Sequence, residues 1–143
     1  MVNKIFLDTN ILIDYIRERA YELDAIKEIF HLGEIGKIDL YISESIITTT
    51  FYILQKEKIN ALSVFREICK TVNVTPFAKD ILYYPLEKYK DTEDGILYFL
   101  ASKAKMNFFI TRNVKDFVFT LPSLPVMTPT KFLKEIYFND IPQ

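Results

Sequence analysis

The sequence predicts an α/β fold, a three-layer α/β/α sandwich around a short, mostly parallel, twisted sheet. Brief apolar runs closed by turn residues alternate along the chain with longer segments whose apolar residues recur at helical spacing. This alternation is typical of a parallel sheet covered by helices on both faces. Acidic residues mark the ends of these elements: Asp8 closes the first apolar run, Asp94 opens a helix, and Asp116 lies just past another run. Ligands bind at the carboxyl ends of strands in such sheets, so these acids indicate a site there.

The composition indicates one ordinary domain over residues 1–143. Half of the 143 residues are apolar and only three are glycine, which disfavours disorder and flexible linkers. The formal net charge of −1 does not by itself indicate a nucleic-acid-binding surface. Cys69 is the sole cysteine, which excludes an intrachain disulfide and a multi-thiolate metal site.

Targeting signals are not evident in the sequence. The first residues lead straight into an apolar strand without a signal-peptide pattern, and no apolar run approaches the length of a membrane span. We therefore expect a cytoplasmic protein with no membrane partner.

The first half of the chain predicts two strands and four helices. Residues 4–7 form a brief apolar run and residues 38–42 alternate weakly, so both predict strands. Helices are predicted where apolar residues recur at helical spacing, with Thr9 or Asn10 as the cap of the first helix and Ser43 as the cap of the third. They span residues 9–17, 21–31, 43–55 and 60–71.

The second half predicts three strands and three helices. The strands are the short apolar runs at 72–74, 107–111 and 126–127. The helices span 77–90, 91–105 and 129–138. Pro85 is expected to disturb the first of these helices. Asp91 is expected to cap the second, and Pro129 suits the first turn of the third.

The three acids suggest metal-dependent phosphate chemistry if the fold brings them together. Two like charges about 4 Å apart repel by about 4 kcal/mol at an effective dielectric near 20, and a bound divalent cation removes that repulsion. Asp94 shares its helix face with Leu97, Tyr98 and Ala101, which directs it inward. We therefore predict that Asp8, Asp94 and Asp116 bind Mg²⁺ or Mn²⁺ and catalyse phosphodiester hydrolysis.

Polar and basic neighbours complete the predicted site. Those expected to orient the metal ligands or contact a phosphate are Asn10, Glu93, Thr111 and Asn113. Arg112 and Lys115 are candidates for binding the substrate's phosphate backbone, although ordinary solvated charge is an equal alternative. Asp91 is expected to be a helix cap, and Glu93 could simply favour the helix N-terminus. Asp14 is expected to face solvent, with a place in the outer part of the site as the alternative.

Four motifs, in the same order, resemble those of PIN-domain ribonucleases. They are Phe6–Asp14, Asp91–Asp94, Thr111–Phe117 and Val126–Leu133. The resemblance implies a metal-dependent endoribonuclease acting on RNA. Many bacterial members of this size resemble VapC toxins, which a small antitoxin protein inhibits, and the family often forms homodimers.

One position departs from the family pattern. The family usually carries a glutamate on the helix after the second strand, where this chain has Thr50 by our alignment. A threonine hydroxyl can hold a metal-bound water but brings no charge, so we expect a weakened metal site, with Glu44 as a possible substitute.

Two other functions compete with a nuclease. A non-catalytic PIN-like RNA-binding module would bind RNA without magnesium and would not cleave it. A phosphoacceptor domain of receiver or phosphatase type also uses acids at strand ends. The phosphatase version usually needs a second acid two positions after the first, where this chain has Asn10.

Overall fold

A parallel five-stranded sheet lies at the centre of the computed structural model, which describes residues 2–137. The spatial order is β3-β2-β1-β4-β5, and each neighbouring pair is parallel. The strands are β1 Lys4–Leu7, β2 Asp39–Ser43, β3 Asn73–Thr75, β4 Phe108–Ile110 and β5 Val126–Met127. With its helices, this sheet forms the predicted α/β/α sandwich.

The central strand β1 is buried on both faces. Ile5, Phe6 and Leu7 have no exposed surface, and Phe6 pairs in register with Tyr41 of β2 and Phe109 of β4. The rings of Phe6 and Phe109 stack with centroids 5.2 Å apart. A continuous apolar run is what a parallel strand covered by helices requires, which explains why residues 4–7 signalled the sheet so clearly.

Helices fill the connections between the strands. Six α-helices occur among residues 2–137: α1 Thr9–Arg17, α2 Leu23–Glu34, α3 Glu44–Lys56, α4 Ala61–Ile68, α5 Thr92–Lys103 and α6 Pro129–Lys131. The side chains of Asp8, Ser43, Asn60 and Asp91 accept hydrogen bonds from backbone N–H groups at the starts of α1, α3, α4 and α5. Within the described segment, no helix combines the length and the apolar character needed to cross a bilayer.

Two predicted helices differ in the structure. The segment 77–90 is not one helix but two 3₁₀ turns, Lys79–Tyr83 and Leu86–Lys88, because Pro85 lacks an N–H and clashes with a preceding carbonyl in a continuous helix. The helix predicted at 129–138 is α-helical only over Pro129–Lys131 and continues as a π-helix over Phe132–Tyr137. Its predicted end at residue 138 lies outside the described residues.

The strand order creates a crevice between β1 and β4. The chain runs from β1 to β2 and β3 on one side, then crosses to β4 on the other side of β1. Ligand sites of open α/β sheets lie at this kind of reversal, beyond the carboxyl ends of the strands. The backbone N–H of Asp8 donates to the carbonyl of Ile110 over 2.9 Å, so the residues that follow β1 and β4 begin side by side.

Candidate active site

A cleft of about 840 Å³ opens at the carboxyl ends of β1 and β4. We call it the acidic cleft because six carboxylate residues line it. They are Asp8, Asp14, Asp91, Glu93, Asp94 and Asp116. The three acids singled out in the sequence thus border one cavity, although they are separated by as many as 108 positions in the chain.

Asp8 is one of the two most buried of these acids. It is 4% exposed, and hydrogen bonds fix both carboxylate oxygens. Oδ1 accepts from the backbone N–H of Thr9 over 2.8 Å, while Oδ2 accepts from Thr111 Oγ1 over 2.7 Å and Asn10 Nδ2 over 3.2 Å. Burial nevertheless raises the pKa of Asp8 to about 6, because the hydrogen bonds from Thr111 and Thr9 oppose it only in part.

Asp94 lies in the first turn of α5 and faces the acidic cleft. Its pKa is raised to about 7, first by burial and then by the negative charges of neighbouring carboxylates. Those neighbours are Asp8, Asp91, Asp116 and Glu93, in decreasing order of effect. The structure therefore holds Asp94 near enough to these acids for their negative charges to raise its pKa. Such an arrangement is expected of a site that binds a cation.

The remaining acids reach the cleft from two loops and a helix start. Asp116 ends the 3₁₀ turn Val114–Asp116 that follows β4. Asp91 caps α5, as predicted, by accepting from the backbone N–H of Glu93 over 3.0 Å. Glu93 is half-buried and accepts from Thr9 Oγ1 over 3.4 Å, and burial, followed by the charge of Asp91, raises its pKa.

Basic partners do not neutralise the central acids. Across residues 2–137, no Lys or Arg nitrogen lies within the 4.0 Å of an ion pair from Asp8, Asp94 or Asp116. The donor set suits a hard cation such as Mg²⁺ or Mn²⁺, because all of its candidate ligands are oxygens. In the same part of the chain, no three acidic, His or Cys side chains are already arranged around one metal position. The acidic cleft fits such a cation in chemistry and charge, while a closed ligand set is not preformed.

A polar network ties the loops around Asp8 together. Asn10 Nδ2 also donates to Thr111 Oγ1 over 3.3 Å, and Asn10 Oδ1 accepts from the backbone N–H of Arg112 over 3.2 Å. The backbone N–H of Asn113 donates to Thr111 Oγ1 over 3.1 Å. The residues expected to orient the site, Asn10, Thr111 and Asn113, thus lie together, with Thr111 fully buried beneath the cleft and the other two lining it.

Besides Thr111, which lies beneath it, two predicted site residues do not line the acidic cleft. Thr50, which we aligned with the family's glutamate, is fully buried on the inner side of α3, and within residues 2–137 its hydroxyl has no hydrogen-bond partner. Its neighbour Thr49 lines the cleft instead, together with Ile53 one turn later, because adjacent helical side chains point about 100° apart. Position 49, rather than position 50, is thus the one from which this part of α3 presents a hydroxyl to the cleft. Lys115 is exposed and also lies outside the cleft lining, as does Glu44.

Asp14 was missed as a site residue. We expected it to face solvent, but it is 4% exposed, and both of its carboxylate oxygens accept from Nη1 of Arg112, over 2.9 and 3.0 Å. The sequence did contain a signal, since Asp14 lies four residues after Asn10 on α1 and so shares its helix face. Arg112 lines the cleft as predicted, and Arg17 and Lys90 join it there.

Comparison with known proteins decides the family. The family model of the PIN domain matches residues 4–115. The chain belongs to the PIN-domain family. The match contains Asp8 and Asp94 and stops one residue before Asp116.

Individual PIN-domain relatives agree over most of the chain. Ribonuclease VapC1 of Aquifex aeolicus is 31% identical over 140 residues, which cover 90% of this chain and 92% of the relative. This PIN-domain chain is therefore VapC-like. A chain of a toxin–antitoxin complex from Klebsiella pneumoniae is 28% identical, with a TM-score of 0.62 and coverage of 87% of this chain and 97% of that chain.

A more distant structure agrees in fold alone. It is VapBC2 from Rickettsia felis bound to a DNA fragment from its promoter, with 18% identity and a TM-score of 0.67. That match covers 86% of this chain and 96% of the other, so the PIN-like architecture extends over nearly the whole described segment.

Proposed function

We propose that this PIN-domain protein is a Mg²⁺- or Mn²⁺-dependent endoribonuclease and the toxin component of a toxin–antitoxin pair. One observation carries the proposal: Asp8, Asp94 and Asp116 border one cleft, and none of them has a basic partner within residues 2–137. The negative charges of Asp8 and Asp116 also contribute to the raised pKa of Asp94. The 31% identity to a VapC ribonuclease supports RNA as the substrate.

The chemistry assigns a role to each group of residues. Asp8, Asp94 and Asp116 would hold the cation, with Glu93 at the edge of the site. When bound, a divalent cation activates water and offsets the charge that develops on a phosphate. Asn10 and Thr111 hold the Asp8 carboxylate through its Oδ2, and Asn113 lines the same cleft. No side-chain nucleophile is needed, because water can attack the phosphorus.

A second candidate function rests on Thr49. The cleft has a neutral hydroxyl where α3 approaches it, and no three-ligand group is preformed among residues 2–137. A metal site weakened in this way favours a non-catalytic RNA-binding module. That function predicts RNA binding that is indifferent to magnesium and chelator, with no cleavage.

RNA cleavage tests the two candidates directly. The purified chain should cut single-stranded RNA with Mg²⁺ or Mn²⁺, and EDTA should stop the reaction. Asp94→Asn should abolish cleavage without loss of fold. Asp24→Asn is the matched control, because Asp24 is exposed in the first turn of α2 and lies outside the cleft. Equal cleavage by the Asp94 variant would show that the assigned ligands are wrong.

Metal binding can be measured without activity. A ligand that binds only the folded chain raises its melting temperature, by an amount set by the ratio of ligand concentration to Kd. We expect Mg²⁺ or Mn²⁺ to raise the Tm of the parent and of Asp24→Asn, and to leave that of Asp94→Asn unchanged.

Partner proteins follow from the toxin assignment. The similar Klebsiella pneumoniae chain comes from a toxin–antitoxin complex, which supports a small antitoxin as the partner of this chain. The product of a neighbouring small reading frame should copurify with the chain and inhibit its cleavage of RNA. We also propose a homodimer, for which light scattering on the purified chain should give twice the 16.8 kDa mass.

A further inference from the structure

We infer that Asp14 is a positioning residue, which holds Arg112 at the lip of the acidic cleft so that its guanidinium binds a phosphate of the RNA next to the cleaved bond. This inference rests on the proposed nuclease function. The carboxylates that would bind the metal repel the phosphates of RNA, so the cleft needs a positively charged group that attracts the substrate.

The contacts between the two residues leave most of the guanidinium available. Arg112 uses Nη1 alone to reach Asp14, over 2.9 and 3.0 Å to the two carboxylate oxygens. Its side chain is 52% exposed, whereas that of Asp14 is 6% exposed. A guanidinium has five N–H donors in a fixed fork, so Nε and Nη2 remain free to pair with two oxygens of a phosphate.

The backbone of Arg112 is fixed as well. Its N–H donates to Asn10 Oδ1 over 3.2 Å, and Asn10 contacts Asp8 through its Nδ2. Arg112 is thus held by α1 at two points, through the backbone at Asn10 and through the side chain at Asp14. Immobilising a long side chain before the substrate arrives reduces the entropy lost on binding.

The other arginine of the cleft is occupied differently. Arg17 also lines the acidic cleft, but its Nε and Nη2 both bind Glu57 Oε2, over 3.0 and 2.7 Å. Its phosphate-binding fork is therefore already used. Of the two arginines that line the cleft, Arg112 is the one whose Nε and Nη2 make no hydrogen bond within residues 2–137.

The position of Asp14 also protects the metal ligands. Arg112 lies four residues before Asp116 and lines the same cleft as Asp8 and Asp94. A released guanidinium could pair with these carboxylates and neutralise them. Asp14 is one turn beyond Asn10 on α1, so its ion pair fastens the Arg112 guanidinium to α1, and within residues 2–137 Arg112 forms no ion pair with Asp8, Asp94 or Asp116.

A purely structural ion pair would give a different result, so binding is measured apart from stability. In the cleavage-deficient Asp94→Asn background, the Kd of a single-stranded RNA oligonucleotide is measured at several salt concentrations. We expect R112Q to weaken binding about tenfold and to reduce the slope of log K against log salt by about 0.7, the loss of one phosphate contact. R112K keeps the charge without the fork, so its affinity should be intermediate.

Arg66 supplies the matched control. It is exposed on α4 and lies outside the cleft, so R66Q removes the same charge and should change neither the Kd nor the salt slope. If R112Q binds RNA as tightly as R66Q, the inference is wrong.

Asp14 is tested by a double-mutant cycle that uses KM and kcat for RNA cleavage. D14N should raise KM in the parent, because Arg112 is released, whereas in the R112Q background D14N should leave KM unchanged or lower it, since only a negative charge is lost. Thermal unfolding of each variant shows whether it is folded. Equal effects of D14N in both backgrounds would overturn the positioning role.

The outcomes separate this inference from the nuclease proposal. A parent that cleaves RNA while R112Q behaves like R66Q retains the nuclease function and loses the Arg112 site. A parent that neither binds nor cleaves RNA removes both.

Discussion

Thr111 Oγ1 donates a hydrogen bond to Asp8 Oδ2 over 2.7 Å, and both residues are buried at the base of the acidic cleft. Asp8 follows β1 and Thr111 follows β4, so this contact joins the two strand ends between which the site lies. It also lowers the pKa of Asp8 against the stronger opposing effect of burial. The Thr111 hydroxyl beneath the cleft thus helps to keep the Asp8 carboxylate ionised.

Thr111→Val should weaken metal binding while keeping the shape of the side chain. The variant removes a hydrogen bond to the ionised form of Asp8, so the pKa of Asp8 should rise further above 6. Loss of an outer partner of a metal ligand typically weakens affinity about 10- to 100-fold. Calorimetric titration with Mn²⁺ measures this. Unchanged affinity would mean that Asp8 does not ligate the metal.

The metal-free protein should lose stability as pH rises from about 4 to 7. The pKa of Asp8 is about 6 and that of Asp94 about 7 in the folded state, against an ordinary value of 3.8. The folded chain therefore binds more protons than the unfolded chain in this interval, and the stabilisation present below pH 4 is lost as these groups ionise. Denaturant unfolding in EDTA across this range measures the slope.

Asp94→Asn should remove part of that loss. Because the amide of Asn does not ionise, the variant should be more stable than the parent at pH 8. We expect a difference in the free energy of unfolding on the order of 1–2 kcal/mol after allowance for solvent screening. The difference should be smaller at pH 5. A variant that is less stable than the parent at pH 8 would contradict the repulsion described here.

Restoring an acid on α3 should depend on which threonine is replaced. Thr49→Glu adds a carboxylate to the acidic cleft, so it should lower the Tm in EDTA and increase affinity for Mn²⁺ by about tenfold, because affinity follows the number of charged ligands. Thr50→Glu places the same charge in the fully buried interior and should destabilise the fold by about 3 kcal/mol or more. Calorimetry and thermal unfolding of the pair test this difference. If the two variants had the same Mn²⁺ affinity and the same Tm, position 49 would not be the one from which α3 contributes to the metal site.

Gly95→Ala should destabilise the protein despite the helix-favouring change. A Cβ at Gly95 would lie 2.9 Å from Tyr89 Cδ2 and 3.0 Å from Leu86 Cδ2. The Tyr89 ring cannot easily move, since its hydroxyl donates to the carbonyl of Phe119 over 2.6 Å. Overpacking costs about 1–3 kcal/mol, whereas alanine gains about 1 kcal/mol over glycine in a helix, so we expect a lower Tm. A higher Tm would show that Leu86 and Tyr89 can move away from the added methyl group at little cost.

The fold could be predicted because its signals are local. Buried parallel strands are near-continuous apolar runs, and Ser43, Asn60 and Asp91 cap helices through contacts within three residues. The segment 77–90 was the larger of two exceptions, because its apolar side chains suited a helix while Pro85 prevented one. Ile81 is buried there without helical periodicity.

The site was harder to predict because it depends on long-range contacts. The three acids were recognised from their places at element ends and from family motifs. By contrast, the pairing of Asp14 with Arg112 spans 98 positions and leaves no local pattern. The choice between Thr49 and Thr50 depends on the rotation of α3 about its axis, which the β-branched run 48–50 does not reveal because its members are chemically alike.

The order of the strands has a consequence for synthesis. Asp8 is synthesised well before its hydrogen-bond donor Thr111, which follows it by 103 positions, and before the acids Asp94 and Asp116. A nascent chain therefore cannot assemble the cleft until β4 has emerged and inserted beside β1. Translation products that end before Asn107 lack β4, Thr111 and Asp116, so we expect the cleft to assemble only after synthesis has passed Asp116.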